Sequence, residues 1–234
     1  MHFFNVNRKG YFTMTMLIRL LTVVMVVSTV GCASNYVSKD QYSGYLKDYS
    51  NLEEVETASG GYTLRWISDK IKAKGYHSVI LDKTVLYPEP KATEQVSETL
   101  LHQFTWSVDK ALKNAANGSF KIVEHTGVGV LQIKPAITGV EHSMEGMKPV
   151  EILPIAMVLG VGKIAAGTRD QDVDVFLEVA VTDSQTGELL AKAVRKGEGE
   201  QLENDEEQLS IVHLKEMIAN WEKDAAAIFS SLSQ

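Results

Sequence analysis

Several groups of residues in this chain have the types and spacing for chemistry. Gly160-Val161-Gly162-Lys163 has the outline of a phosphate-binding turn. A P-loop, however, needs wider glycine spacing and a Ser or Thr after the lysine. Ile164 follows here, and no strand with an acidic ribose-binding residue frames the turn, so these read as packing glycines. Asp170, Asp172 and Asp174 alternate along one strand face and could gather a cation. Calcium ligands converge from a wrapped loop, which a flat strand does not provide. A solvated face, or pairing with Arg195 and Lys196 across a hairpin, is the expectation. His77, His102, His125, His142 and His213 fall in separate segments without metal-ligand spacing. There is no Gly-x-Ser-x-Gly elbow, and carboxylates are too numerous in an acidic chain to single out a glycosidase pair. Asn117-Gly118-Ser119 matches a glycosylation sequon but is also a good helix stop. The residues therefore define no catalytic, cofactor or metal set. The one side chain whose chemistry they do define is Cys32, the only cysteine.

Cys32 follows an uncharged run at 20–30, with Arg8, Lys9 and Arg19 upstream. That is a basic region followed by an apolar stretch of secretory length, too short to span a bilayer as a helix. The run closes on Ser28-Thr29-Val30-Gly31 before the cysteine, which resembles the lipobox of bacterial lipoprotein signal peptides. The resemblance implies cleavage between Gly31 and Cys32, a diacylglycerol thioether on Cys32, and acylation of the new amine with a chain such as palmitate. Each buried methylene contributes about 0.8 kcal/mol, so three acyl chains anchor stably without a transmembrane helix. Ala33 in place of Asp favours the outer membrane, by analogy with lipoprotein sorting. Met14 and Met16 are alternative starts to Met1, since 14–32 alone makes a signal peptide.

Removing 1–31 takes three basic residues and no acidic ones, leaving 20 Lys and Arg against 30 Asp and Glu, a net charge of −10. That balance argues against a nucleic-acid footprint and against electrostatic docking on anionic lipid. With Cys32 acylated no thiol remains for a disulfide, and stability rests on packing.

Residues 33–61 are polar and aromatic, and read as a tether that then lies along the domain with Tyr45, Leu46, Tyr49 and Leu52 packing down. Residues 64–67 form a short piece of uncertain type. Residues 77–87 read as one strand, ended by Pro88 and Pro90. Thr93 is the expected N-cap of a helix whose apolar stripe runs from Val96 to Ala115. Residues 120–123 and 128–140 read as strands, with Pro135 at an edge or bulge. The apolar run 152–166 is expected to be buried, with insertion into a membrane or partner groove as the alternative. Residues 170–183 alternate most clearly, with Val173, Val175, Leu177, Val179 and Val181 on one face. Phe176 and Glu178 lie on the other. Asp183 to Glu188 is a turn, and 189–196 returns as the partner strand. A last helix opens at Asp205-Glu206-Glu207. The implied fold is α+β: a mainly antiparallel sheet of about five strands with two amphipathic helices on one face, a two-layer sandwich. The implied organisation is a signal peptide at 1–31, an acylated tether at 32–61 and one periplasmic domain at 62–234.

Ser43-Gly44-Tyr45-Leu46, Asp48-Tyr49-Ser50, Leu52, Arg65-Trp66, Ile137-Thr138 and the turn Asp183-Ser184-Gln185-Thr186-Gly187-Glu188 together resemble the uncharacterised bacterial lipoproteins grouped as domain of unknown function 3313. The resemblance covers most of 42–196. It implies an envelope location and supplies no catalytic residue.

The function expected is a non-catalytic, lipid-anchored binding or scaffolding domain facing the periplasm. Its partners would be the membrane, through acylated Cys32, and an envelope protein or component. Phe176, Ile155 and Val158 are the candidate contact surface. The alternatives are an envelope hydrolase with an acidic site and a subunit of an oligomeric secretion or pore assembly.

Overall fold

A computed structural model of the chain describes residues 36–89, 96–138, 157–159, 173–202 and 207–233. These described residues cluster as one unit. Its elements are β1 (Glu53–Glu56), β2 (Tyr62–Ile67), α1 (Lys70–Lys74), β3 (Ser78–Leu81), β4 (Val85–Tyr87), α2 (Glu98–Ala116), β5 (Lys121–Ile122), β6 (Val130–Thr138), β7 (Met157–Leu159), β8 (Val173–Asp183), β9 (Leu189–Glu198) and α3 (Lys215–Leu232). The described strands form one mixed sheet in the order β1-β2-β9-β8-β6-β3-β5. β4 pairs further along β6, and β7 pairs with the start of β8. The fold is α+β as expected. The sheet is larger than five strands, and it is mixed because β3 and β4 run parallel to β6, and β5 parallel to β3.

The β8–β9 hairpin is the spine. Its Asp183–Glu188 turn is closed by Asp183 Oδ1, which accepts the amides of Gln185 (3.0 Å) and Thr186 (2.9 Å). Gly187, at φ 72°, takes the left-handed position that a side chain disfavours. α2 begins at Ser97, whose hydroxyl oxygen accepts the Leu100 amide at 3.2 Å, rather than at Thr93. Residues 77–87 form two strands, β3 and β4, successive partners of β6. Pro135 lies inside β6, not at an edge. It is opposite Val179, and on the other side it falls where pairing passes from β3 to β4, so its missing N–H is accommodated. Residues 64–67 belong to β2. α3 starts at Lys215, later than its acidic residues suggest, because 211–214 form turns.

The odd positions of β8 (Val173, Val175, Leu177) are buried with Phe104 and Val108 of α2 and Met217 and Trp221 of α3. A second cluster joins Ile71, Val79, Phe120, Leu131, Leu190 and Phe229. Each large side chain fully withdrawn from water contributes about 1.5–3 kcal/mol. α3 lies close to β9 because Gly197 has no side chain: a Cβ there would meet Met217 at 2.6 Å and Trp221 at 2.7 Å.

The other face of the sheet is also covered. Phe176, Leu64, Val194 and Val37 are buried there beneath Tyr36, Tyr42, Leu46, Tyr49 and Leu52. Of the residues expected to pack down from the N-terminal segment, Leu46, Tyr49 and Leu52 do so on this face, while Tyr45 lies against the Tyr87 ring of β4 with centroids 5.5 Å apart, and the segment makes a third layer that a two-layer reading omits. Phe176 is 1% exposed and is not a contact surface. The expectation of exposure treated the even positions of β8 as facing water, whereas residues 36–52 occupy that face.

Candidate functional site

The motif residues of the N-terminal segment converge on two charges buried in the covered face. Glu178, central in β8 between Ala136 of β6 and Val194 of β9, has no solvent exposure. Its Oε1 accepts the Ser43 amide (3.1 Å) and hydroxyl (2.7 Å), and its Oε2 accepts the Tyr49 hydroxyl (2.7 Å). Three donors satisfy a carboxylate that water cannot reach. Gly44, at φ 89°, makes the bend, and its amide donates to the Tyr49 oxygen at 2.8 Å. Tyr42 stacks on Tyr49 with centroids 4.2 Å apart. Burial, with the bond to Glu178, pushes the Tyr49 hydroxyl up to about 12, which keeps it a donor.

Lys192 of β9 is 3% exposed. Its ammonium donates to the Asp48 carbonyl (3.0 Å) and carboxylate (2.8 Å), and lies 5.8 Å from the Trp66 ring centroid. Asp48 also accepts the amide and hydroxyl of Ser50, both at 2.9 Å. The Lys192 bond leads in holding the Asp48 carboxyl down to about 2. Ser43, Gly44, Tyr49, Asp48 and Ser50 thus act as one strap fastened to Glu178 and Lys192.

The turn motif is a second fastener. Asp183 Oδ2 accepts the Tyr76 hydroxyl at 2.6 Å. That bond, with the Thr186 and Gln185 amides, brings the Asp183 carboxyl down to about 2. Glu188 pairs with Lys70 and Lys74 of α1. A third ties α3 to the sheet. Asp224 accepts the Ser59 amide (2.6 Å) and hydroxyl (2.8 Å) and pairs with Arg195 of β9. Burial draws the Arg195 guanidinium down to about 10, still charged at neutral pH. Arg195 therefore reaches α3 rather than the aspartates of β8, while Lys196 pairs with Asp174 at 2.9 Å.

Asp48 and Asp183 have folded-state values near 2, below the ordinary 3.8. The unfolded chain therefore takes up these protons at higher pH than the folded one. Their stabilisation is complete above about pH 4 and is lost as pH falls toward 2. Urea unfolding at stepped pH is expected to show a plateau above pH 4 and a decline below it. Asp183→Asn should lower the plateau and flatten part of that decline.

Gly31, Cys32 and Ile155 lie outside the described residues, as do Asp170, Asp172, His142 and Gly160-Val161-Gly162-Lys163. Val158 lies in β7, paired with Asp174 of β8. Among the described residues no three His, Cys, Asp or Glu side chains gather around a metal position, and no helix is long and apolar enough to cross a membrane. His213 contacts Ser210 and Glu207, and His77 contacts Ser78.

Comparison with known proteins agrees with the resemblance carried by these motifs. A family model described as a protein of unknown function (DUF3313) matches residues 41–225. The uncharacterized lipoprotein YdcL of Escherichia coli K12 is 32% identical over 195 residues, covering 83% of this chain and 88% of that protein. Two solved structures overlap loosely. The PelC dodecamer from Paraburkholderia phytofirmans has a TM-score of 0.35 at 9% identity, over 73% of this chain and 96% of that one. The hypothetical protein CT253 from Chlamydia trachomatis has a TM-score of 0.36 at 10% identity, over 65% of this chain and 99% of that one. At these scores neither overlap carries weight for function.

Proposed function

The chain belongs to the DUF3313 family of uncharacterised lipoproteins, and from that premise we propose that it is anchored through acylated Cys32 in the outer membrane, facing the periplasm, with a domain that binds or scaffolds rather than catalyses. One observation carries the non-catalytic part. The buried charges Glu178, Lys192, Arg195 and Asp224 are each engaged in fastening one layer to another. Each charge is met by a group of the protein itself, the arrangement of a structural tie rather than of an acid or base kept open for proton transfer. The motif residues Ser43, Tyr49 and Asp48 are the partners that hold Glu178 and Lys192.

The anchoring part rests on the basic, apolar, small-residue sequence ahead of Cys32 and on kinship to a lipoprotein. Four residues lead from Cys32 to Tyr36, and an extended chain covers at most about 3.5 Å per residue. An acylated Cys32 would therefore keep the start of the strap within about 14 Å of the bilayer surface.

Cys32→Ser removes the thiol that would carry the diacylglycerol. After carbonate washing of envelopes, nearly all of the variant is expected in the soluble fraction and the parent protein in the membrane pellet. A variant that stays in the pellet would overturn the anchor.

A further inference from the structure

The space between the sheet and the helices is incompletely filled. A cavity of about 130 Å3 lies beneath α2 and α3, with Val179, Ala191 and Ala193 of the sheet facing Ala111, Ala225 and Ile228 of the helices. Alanines on both sides leave room that larger side chains would close. An apolar cavity of about 150 Å3 stays dry and accepts a benzene ring, so this one has room for roughly six carbons.

A second space of opposite character shares lining residues with the cavity. A groove of about 550 Å3 runs between the end of β9 and α3, lined by Gly60, Gly61, Lys196, Glu198, Glu200 and Glu216 among others. Arg195 and Trp221 line both spaces. Each presents a buried donor without a hydrogen-bond partner among the described residues: Arg195 Nε and Trp221 Nε1. Trp221 is 5% exposed and the Arg195 side chain 11%. Orphaned buried donors are costly, and two of them, one from β9 and one from α3, call for an acceptor between sheet and helix. The acceptor is not an anion. Arg195 is already paired with Asp224, Lys196 with Asp174 and Glu198, and the groove rim carries three glutamates.

We propose that this is a binding site for a neutral acylated molecule, whose chain end of about six carbons enters the cavity beneath α2 and α3 and whose ester or amide carbonyl accepts hydrogen bonds from Arg195 Nε and Trp221 Nε1. The polar remainder lies in the groove. The site deepens the binding reading above by naming a ligand class, and it rests on the binding part of that reading alone. It does not depend on Cys32.

The test uses the full chain in phospholipid nanodiscs and a hexanoylglycerol probe carrying a diazirine at the end of its chain. Photolabelling is expected on β9 and α3 peptides that line the cavity. Ala193→Leu and Ala225→Phe, which fill it from opposite walls, should each reduce labelling at least tenfold. Circular dichroism identifies a variant that fails to fold, and the other then decides. Unlabelled hexanoylglycerol should compete at least tenfold better than hexanoate or hexylammonium. Labelling scattered over the exposed surface, labelling indifferent to the cavity-filling variants, or equal competition by hexanoate would overturn the proposal. Because Cys32→Ser fractionation reads only the anchor, failure here leaves that result standing.

Discussion

Glu178→Leu is expected to destabilise the domain by about 3–5 kcal/mol and to release the strap. The substitution keeps the side chain's bulk but removes the acceptor for the Ser43 amide, the Ser43 hydroxyl and the Tyr49 hydroxyl. Each donor then stays buried without a partner or draws water beneath residues 36–52. The second outcome also exposes Phe176, Leu64 and Val194, which the strap covers. For a domain of this size the loss corresponds to a fall in Tm of about 10 °C. Tyr49→Phe alone should cost about 1–2 kcal/mol. Combined with Glu178→Leu it should add almost nothing, because its partner is already gone. A loss below about 1 kcal/mol for Glu178→Leu would mean that the strap is held by its apolar contacts alone.

Asp224→Ala should cost a similar amount for a different reason. It leaves the Arg195 guanidinium buried without a counter-charge and strips the Ser59 amide and hydroxyl of their acceptor. Breaking a buried pair from one side costs about 3–5 kcal/mol, whereas replacing both partners by apolar residues of similar volume is often neutral. Arg195→Met with Asp224→Leu should therefore recover most of the stability lost in Asp224→Ala. Chemical denaturation separates the two cases. If the double variant is no more stable than Asp224→Ala, the pair contributes more than mutual charge compensation.

What the sequence made legible follows from the range of each interaction. The β8–β9 hairpin could be read because its alternation and its Asp-Ser-Gln-Thr-Gly-Glu turn are local. The apolar stripe of α2 is likewise a local repeat. The packing of Tyr45, Leu46, Tyr49 and Leu52 was legible as a tendency of aromatic and aliphatic residues in an otherwise polar segment. Their target was not, since Ser43 and Glu178 are 135 positions apart and nothing in either neighbourhood names the other. The burial of Phe176 is not legible because strand alternation distinguishes two faces without saying what covers each. The apolar Phe176 and Ala180 among the even positions of β8 were the available sign that this face is not open to water. The start of α3 at Lys215 is not legible because acidic residues favour a helix N-terminus without fixing it. Among the charged fasteners, Arg195 was matched to the neighbouring strand, whereas its buried partner comes from a helix that packs across the sheet.

The most direct measurement of the proposed function is the intact mass and N-terminal peptide of the protein extracted from its native envelope. The expected product is a chain beginning at Cys32, carrying a thioether-linked diacylglycerol on sulfur and an acyl group on the new amine. A chain that keeps residues 1–31, or one that begins elsewhere with no lipid on Cys32, would contradict it.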